Sequence, residues 1–258
     1  FDDASLARLG RIHDSAQARR AVQLAQDAGL SNINLDLMYA LPQQTQTMAL
    51  ADLEHAFALE PAHISHYQLT LEPNTVFAAR PPEGIPEDDD AWDMQEACPA
   101  ALAEHGFSHY EVSAYARDGA QCAHNLNYWR FGDYLGIGAG AHGKITLPSE
   151  NGILRRWKLK HPQAYMDAAA SAVRIGGDEW LAPERRPFDY MLNALRLHEG
   201  FALTDFEART GLSREAIAAT LERLVQRGLL ERDDAGERIA PTELGRRFLN
   251  DAMGAFLQ

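Results

Sequence analysis

The segment HNLNYWRFGDYLGIGAGAHG, residues 124–143, holds most of the groups in this chain whose type and spacing could do chemistry. His124, Asn125 and Tyr128 stand close together at its start, and glycines at 136, 138, 140 and 143 crowd its end around His142. A neutral imidazole commonly ligates iron or zinc, and haem iron often takes one axial histidine. His124 falls in CAHNLNYW, which reads as loop, so an ordinary hydrogen-bonding histidine accounts for it as well. Cys122 precedes it by two residues, but without a second Cys/His pair at zinc-like spacing no zinc site follows. Residues 138–143, GAGAHG, satisfy G-x-G-x-x-G, the pattern that cradles a pyrophosphate when it opens a helix. Here KITL comes next, which reads as a strand, so the dinucleotide fingerprint fails its context test. The glycines still let backbone come close to something, either a ligand or a packed strand.

A second candidate lies on SNINLDLMY, where Ile33, Leu35 and Leu37 alternate with Asn34 and Asp36. That is a strand with one apolar and one polar face. A carboxylate such as Asp36 inside a barrel must be paired or hydrogen-bonded to offset its desolvation. It could bind ribose hydroxyls or belong to a structural ion pair. Arg11 is a candidate partner or anion contact, and an exposed surface arginine is its plain alternative.

The elements that must position these groups alternate. Residues 14–28 place Ala21, Leu24, Ala25 and Ala28 at helical spacing, with Asp14 or Ser15 as N-cap and Gly29 just beyond the end. After the 31–39 strand, Leu50, Leu53 and Phe57 recur helically until Pro61, and HISHYQLTL reads as a second strand. This is the rhythm of parallel βα units, part of an α/β barrel or open sheet. In such a barrel, functional groups collect at the C-terminal ends of strands, where Asp36 and the LTLEPNT turn are expected. An acidic, proline-rich loop at 81–90 leads into a helix over 89–105, kinked or split at Pro99, and then into FSHYEVSAYA as a strand.

From about residue 180 the pattern changes. Phe188, Met191, Leu192 and Leu195 form one helical face, Thr204 and Ser213 read as N-caps around Gly211, and LLERDDAGERIA reads as a hairpin. Helix, turn, helix and hairpin make a winged-helix pattern. The expected division is therefore a barrel part over 1–178 and a small winged-helix-like helical domain over 179–258.

Composition narrows the function classes. The net charge of −13, from 37 acids against 24 bases, argues against neutralising a phosphate backbone, and residues 201–258 carry ten acids against eight arginines. No nucleic acid is expected as a partner. Two cysteines, Cys98 and Cys122, give no disulfide framework, and no apolar run approaches a membrane span, so a cytoplasmic protein is expected. A start without methionine, in what reads as the middle of an element, suggests that sequence lies upstream.

At NINLDLMYALPQQT, ISHYQLTLEPNTVFAARPP, YEVSAYAR and HNLNYWRFGDYLGIGAGAHG the chain resembles the HemW family. These are haem chaperones of the radical SAM superfamily, related to HemN, the oxygen-independent coproporphyrinogen III oxidase. The resemblance runs along the whole chain and implies a partial (βα) barrel of radical-SAM type with a winged-helix-like C-terminal domain. It implies S-adenosylmethionine, a [4Fe-4S] cluster in the intact protein, and haem, which would pass to acceptor proteins. By this resemblance Arg11, Asp36, Thr70 and His142 fall on the S-adenosylmethionine side, and His124, Asn125 and Tyr128 match the family's haem-associated HNxxY motif. Decarboxylation of coproporphyrinogen III is the alternative it leaves open. The family's CxxxCxxC cluster motif is absent, so no metal is expected on this chain alone, and Ala40 stands where a glycine is usual before Leu-Pro.

Overall fold

The computed structural model describes residues 1–257 and divides into two compact units, Phe1–Cys122 and Ala123–Gln258. In the first, α1 (Asp3–Arg8) is capped by Asp2, and α2 (Ser15–Asp27) opens on a reciprocal capping box between Asp14 and Gln17. The face of α2 turned inward carries Val22 rather than the expected Ala21 and Leu24, and Leu24 is exposed. The next elements are β1 (Asn34–Tyr39), α3 (Gln46–Phe57) and β2 (His63–Gln68), a parallel βαβ unit whose register pairs Asp36 with Ser65. Then come α4 (Val76–Ala79), α5 (Asp88–Glu104), β3 (Ser108–Glu111) and β4 (Ala114–Ala116).

Sheet order is β1-β2-β4-β3, with β4 antiparallel to both neighbours. The stretch expected to be one strand is therefore a tight hairpin turning at Val112 and Ser113. Helix α5 runs through Pro99 as one continuous element. Leu53, Ala56, Met94, Cys98 and Leu102 from α3 and α5 pack on Ile64 and Tyr115 of the sheet, with Leu35 and Leu37 turned towards them. Buried Ala40 takes φ 54, so the left-handed turn forms here without the glycine that accommodates it most easily.

The second unit begins with α6 (Ala123–Trp129). An antiparallel meander of β5 (His142–Leu147), β6 (Gly152–Lys158) and β7 (Ile175–Trp180) comes next, with α7 (Pro162–Asp167) between the last two strands. Then α8 (Arg186–Ala194), β8 (Phe201–Ala202), α9 (Leu203–Thr210), α10 (Glu215–Gln226), β9 (Leu230–Arg232) and β10 (Arg238–Pro241) build the winged-helix pattern. Its sheet has the order β8-β10-β9, and α11 (Glu243–Arg247) and α12 (Leu249–Gly254) close the chain. Thr204 lies inside α9 rather than capping it, and the N-cap of α10 is Arg214, with Ser213 one residue before. Leu192 points outward, while Met191 and Leu195 are buried.

Position 178 falls inside β7. Phe131 and Ile153 share one core with Tyr190, Phe206 and Leu221 of the winged-helix elements. Buried Arg186 reinforces that continuity by donating to the carbonyls of Asn151, Leu181 and Thr210 at 2.9, 3.2 and 2.8 Å. Among the described residues no helix is long and apolar enough to cross a membrane.

His66 of β2 is 6% exposed and stacks on Tyr39 at 4.8 Å. Burial, reinforced by nearby His109, pushes its imidazole down to about 4. An unfolded histidine binds its proton near 6.5, so the folded state loses stability as pH falls from 6.5 towards 4, by on the order of 3 kcal/mol from this group. Chemical denaturation across that window should show the decline, and His66→Phe, which preserves the stack, should flatten it. An equally steep decline in the variant would contradict the assignment.

Candidate functional site

HNLNYW is helical, contrary to the loop expected from its polar residues: it forms α6. The spacing of His124 and Tyr128 then puts both on one helix face. Their rings meet edge to face at 4.9 Å, and Tyr128 lies against Tyr134 at 4.5 Å. His124 is exposed, Asn125 and Tyr128 are half-buried, and neither ring nitrogen of His124 is hydrogen-bonded among the described residues. Phe131, just beyond the helix, takes φ 53, an uncommon conformation for a bulky side chain, held by its burial in the second unit's core.

Lys144 of β5 anchors the turn beyond α6. Its ammonium, with the side chain 3% exposed, donates to Asp133 at 2.8 Å and lies 4.3 Å from the centre of the Phe131 ring. Thr146 donates to the same Asp133 oxygen at 2.8 Å. Burial lowers the Lys144 pKa more than its carboxylate partner raises it. Burial alone would raise Asp133, but the hydrogen bonds from Lys144 and Thr146 and the lysine charge hold it below the usual carboxylate range. The backbones of Tyr134 and Lys144 exchange two hydrogen bonds, at 2.9 and 3.0 Å, so the tyrosine that backs Tyr128 is attached to the strand carrying the lysine.

Two of the four glycines, Gly136 and Gly143, serve chain packing, whereas Gly138 and Gly140 take positive φ of 108 and 70, and a Cβ there would meet nothing closer than 3.7 Å. A Cβ on Gly136 would lie 2.4 Å from the His142 carbonyl oxygen, and one on Gly143 would lie 3.0 Å from the Gly136 nitrogen. Of the two explanations that the sequence leaves open, packed backbone fits these positions. His142 is exposed, with its ring 6.2 Å from that of Trp157. Leu135 and Ile137 are 75% and 86% exposed, an apolar edge that hydrophobic periodicity does not reveal because the loop has none.

In the first unit, Asp36 is exposed on the polar face of β1, so the burial that would make it costly is absent there. The Asn34 side-chain amide donates to it at 2.8 Å. The amide oxygen of Asn34 in turn lies 2.6 Å from His63 Nδ1, His63 Nε2 lies 2.8 Å from the Tyr110 hydroxyl, and that hydroxyl oxygen accepts from the Cys122 N–H at 3.2 Å. Burial lowers the His63 pKa against the opposing pull of Asp36. Sequence reasoning misses Asn34, His63 and Tyr110 as site residues, although the two-residue period relating Asn34 to Asp36 points to the first. Thr70 comes after β2 and donates weakly to the Gln68 carbonyl at 3.4 Å; Arg11 is exposed, and no hydrogen bond or ion pair joins Arg11, Asp36 and Thr70 to one another among the described residues. His142 belongs to the second unit.

The α/β fold with its winged-helix end has a counterpart among solved structures. Coproporphyrinogen III oxidase, HemN, from Escherichia coli superposes with a TM-score of 0.78 at 18% identity, over 100% of this chain and 62% of that one. Residues 181–248 match the HemN C-terminal domain. Heme chaperone HemW of Haemophilus influenzae is 46% identical and that of Escherichia coli 44%, each over 100% of this chain, which spans 65% and 66% of their lengths. A putative heme chaperone HemW-like protein of Buchnera aphidicola subsp. Baizongia pistaciae is 30% identical, with 67% of its length covered. The chain belongs to the HemW family.

The Lys144–Asp133 pair should respond asymmetrically to substitution. Asp133→Ala strands an ammonium that water barely reaches and should cost about 3 kcal/mol. Lys144→Met leaves a carboxylate that is 37% exposed and can be solvated, and should cost about 1 kcal/mol. Equal losses in urea denaturation would contradict this reading.

Proposed function

We propose that the protein is a haem chaperone that binds haem as cargo and passes it to acceptor proteins. The observation that carries this reading is the exposed imidazole of His124, unbonded at both ring nitrogens among the described residues and backed by Tyr128 and Tyr134. An imidazole held by its ring contacts with both nitrogens open is suited to ligate iron axially. Asn125 and Tyr128 offer an amide and a phenol beside it. The relatives named as heme chaperones at 44–46% identity support the same reading, whereas the 18% likeness to HemN carries fold alone.

We further propose that the intact protein uses S-adenosylmethionine and a [4Fe-4S] cluster. The residues of this chain do not fit the cluster: Cys98 is fully buried, Cys122 is the other cysteine, and no group of three metal-ligating side chains occurs among the described residues. They do fit an adenosine moiety. The exposed Asp36 carboxylate can accept from ribose hydroxyls while Asn34 holds its other side, and Arg11 offers an exposed guanidinium for a carboxylate. Thr70 joins them on the family resemblance. S-adenosylmethionine would supply a 5′-deoxyadenosyl radical once reduced by a cluster. The free cysteines suit a reducing, cytoplasmic setting.

His124→Ala should weaken haem binding and change the Soret band of the complex; an unchanged spectrum and affinity would refute the role of His124. Asp36→Asn, at an exposed position, should weaken S-adenosylmethionine binding to the intact protein with little change in melting temperature. Equal affinity by calorimetry would remove Asp36 from the site.

A further inference from the structure

The second unit contains a cleft that takes no part in the haem and S-adenosylmethionine contacts proposed above. It has a volume of about 360 Å³, opens at the C-terminal end of α6 and is lined by Trp129, Arg130, Tyr190, Glu199, Asp205 and Arg238, among others. Trp129 immediately follows Tyr128. Its indole N–H is buried with no acceptor among the described residues, although a buried donor left unpaired costs on the order of 1–3 kcal/mol. The guanidinium of Arg196 lies over the Trp129 ring at 4.6 Å, and the cleft itself is lined by two arginines, Arg130 and Arg238, and two acids, Glu199 and Asp205. In a chain of net charge −13, a cleft whose lining charges balance is a comparatively favourable place for an anion.

The acids leave the cleft accessible. Arg130 pairs with Glu199 at 3.0 Å, but both side chains are more than half exposed, and such pairs are weak enough for another carboxylate to displace. Arg238 directs one nitrogen to the Glu199 carbonyl and keeps further donors. Two guanidinia lining one cavity, beside the ring of Trp129 with its buried indole N–H, form a donor set for a carboxylate.

We propose that this cleft seats a carboxylate side chain of the porphyrin, a propionate, while His124 on the same helix holds the iron. The proposal rests on the haem-chaperone reading and adds to it a second point of attachment. Two attachments fix the orientation of a flat ligand that one axial ligand leaves free to rotate.

Haem and haem dimethyl ester, in which both carboxylates are masked, separate the possibilities when titrated into the wild-type protein and into Trp129→Phe and Arg238→Gln. The wild type should bind haem about tenfold more tightly than the ester. Both variants should lose most of that preference by weakening haem alone. Arg130→Gln, at an exposed site, carries the same expectation if Arg238→Gln lowers the melting temperature. Equal binding of haem and ester by the wild type, or a preference that survives the substitutions, would overturn the cleft assignment and leave the chaperone reading intact. No haem binding by the wild type would overturn both.

Discussion

A lysine ammonium almost wholly withdrawn from water governs the candidate haem face. Lys144 is tolerable in the interior only because Asp133 meets it at 2.8 Å and the face of Phe131 lies beside it. Satisfying that one charge fixes three things. It ties the turn after α6 to β5, keeps Phe131 in the core despite its positive φ, and brings Tyr134 into register with Lys144. Tyr134 then backs Tyr128, which meets His124. The exposed imidazole thus sits at the end of a chain of contacts that begins at a buried charge. The close backbone packing of Gly136 and Gly143 finishes the same turn from the other side.

The first unit uses a different device. Apolar side chains of β1 and β2 pack on α3 and α5, which leaves Asn34, Asp36, His63 and Ser65 to build a hydrogen-bonded surface on the opposite face. Burial keeps His63 neutral at ordinary pH, so it can link the Asn34 amide oxygen to the Tyr110 hydroxyl without carrying a charge. That network restrains the amide that holds Asp36. The two candidate sites therefore share a logic, in which an exposed reactive group is oriented by partners that water reaches poorly.

Several elements can be read directly from residue order, and those that cannot have physical reasons for it. Alternation through residues 33–37 marks β1 and its faces, and Asp14, one of the two N-cap candidates, marks the start of α2, because both signals are local. The inward face of α2 is ambiguous because its alanines recur at helical spacing without saying which side packs, and Val22 decides it. The hairpin of β3 and β4 is hidden because Val112 and Ser113 are not the usual residues of a two-residue turn. Helix α6 is hidden because its asparagines are weak helix formers, and tertiary packing at Phe131 and Tyr134 holds it. The roles proposed for His124, Asn125, Tyr128, Arg11, Thr70 and His142 come from family resemblance rather than pattern, since an isolated polar residue has no period to read.

Every functional consequence drawn for α6 depends on His124 being the iron ligand of a haem-carrying protein. A crystal of the haem-loaded protein, with the iron located by its anomalous scattering, would decide the point. Iron should be bonded to a ring nitrogen of His124, with the macrocycle against the α6 face. Iron bound to another residue, away from α6, would contradict that assignment.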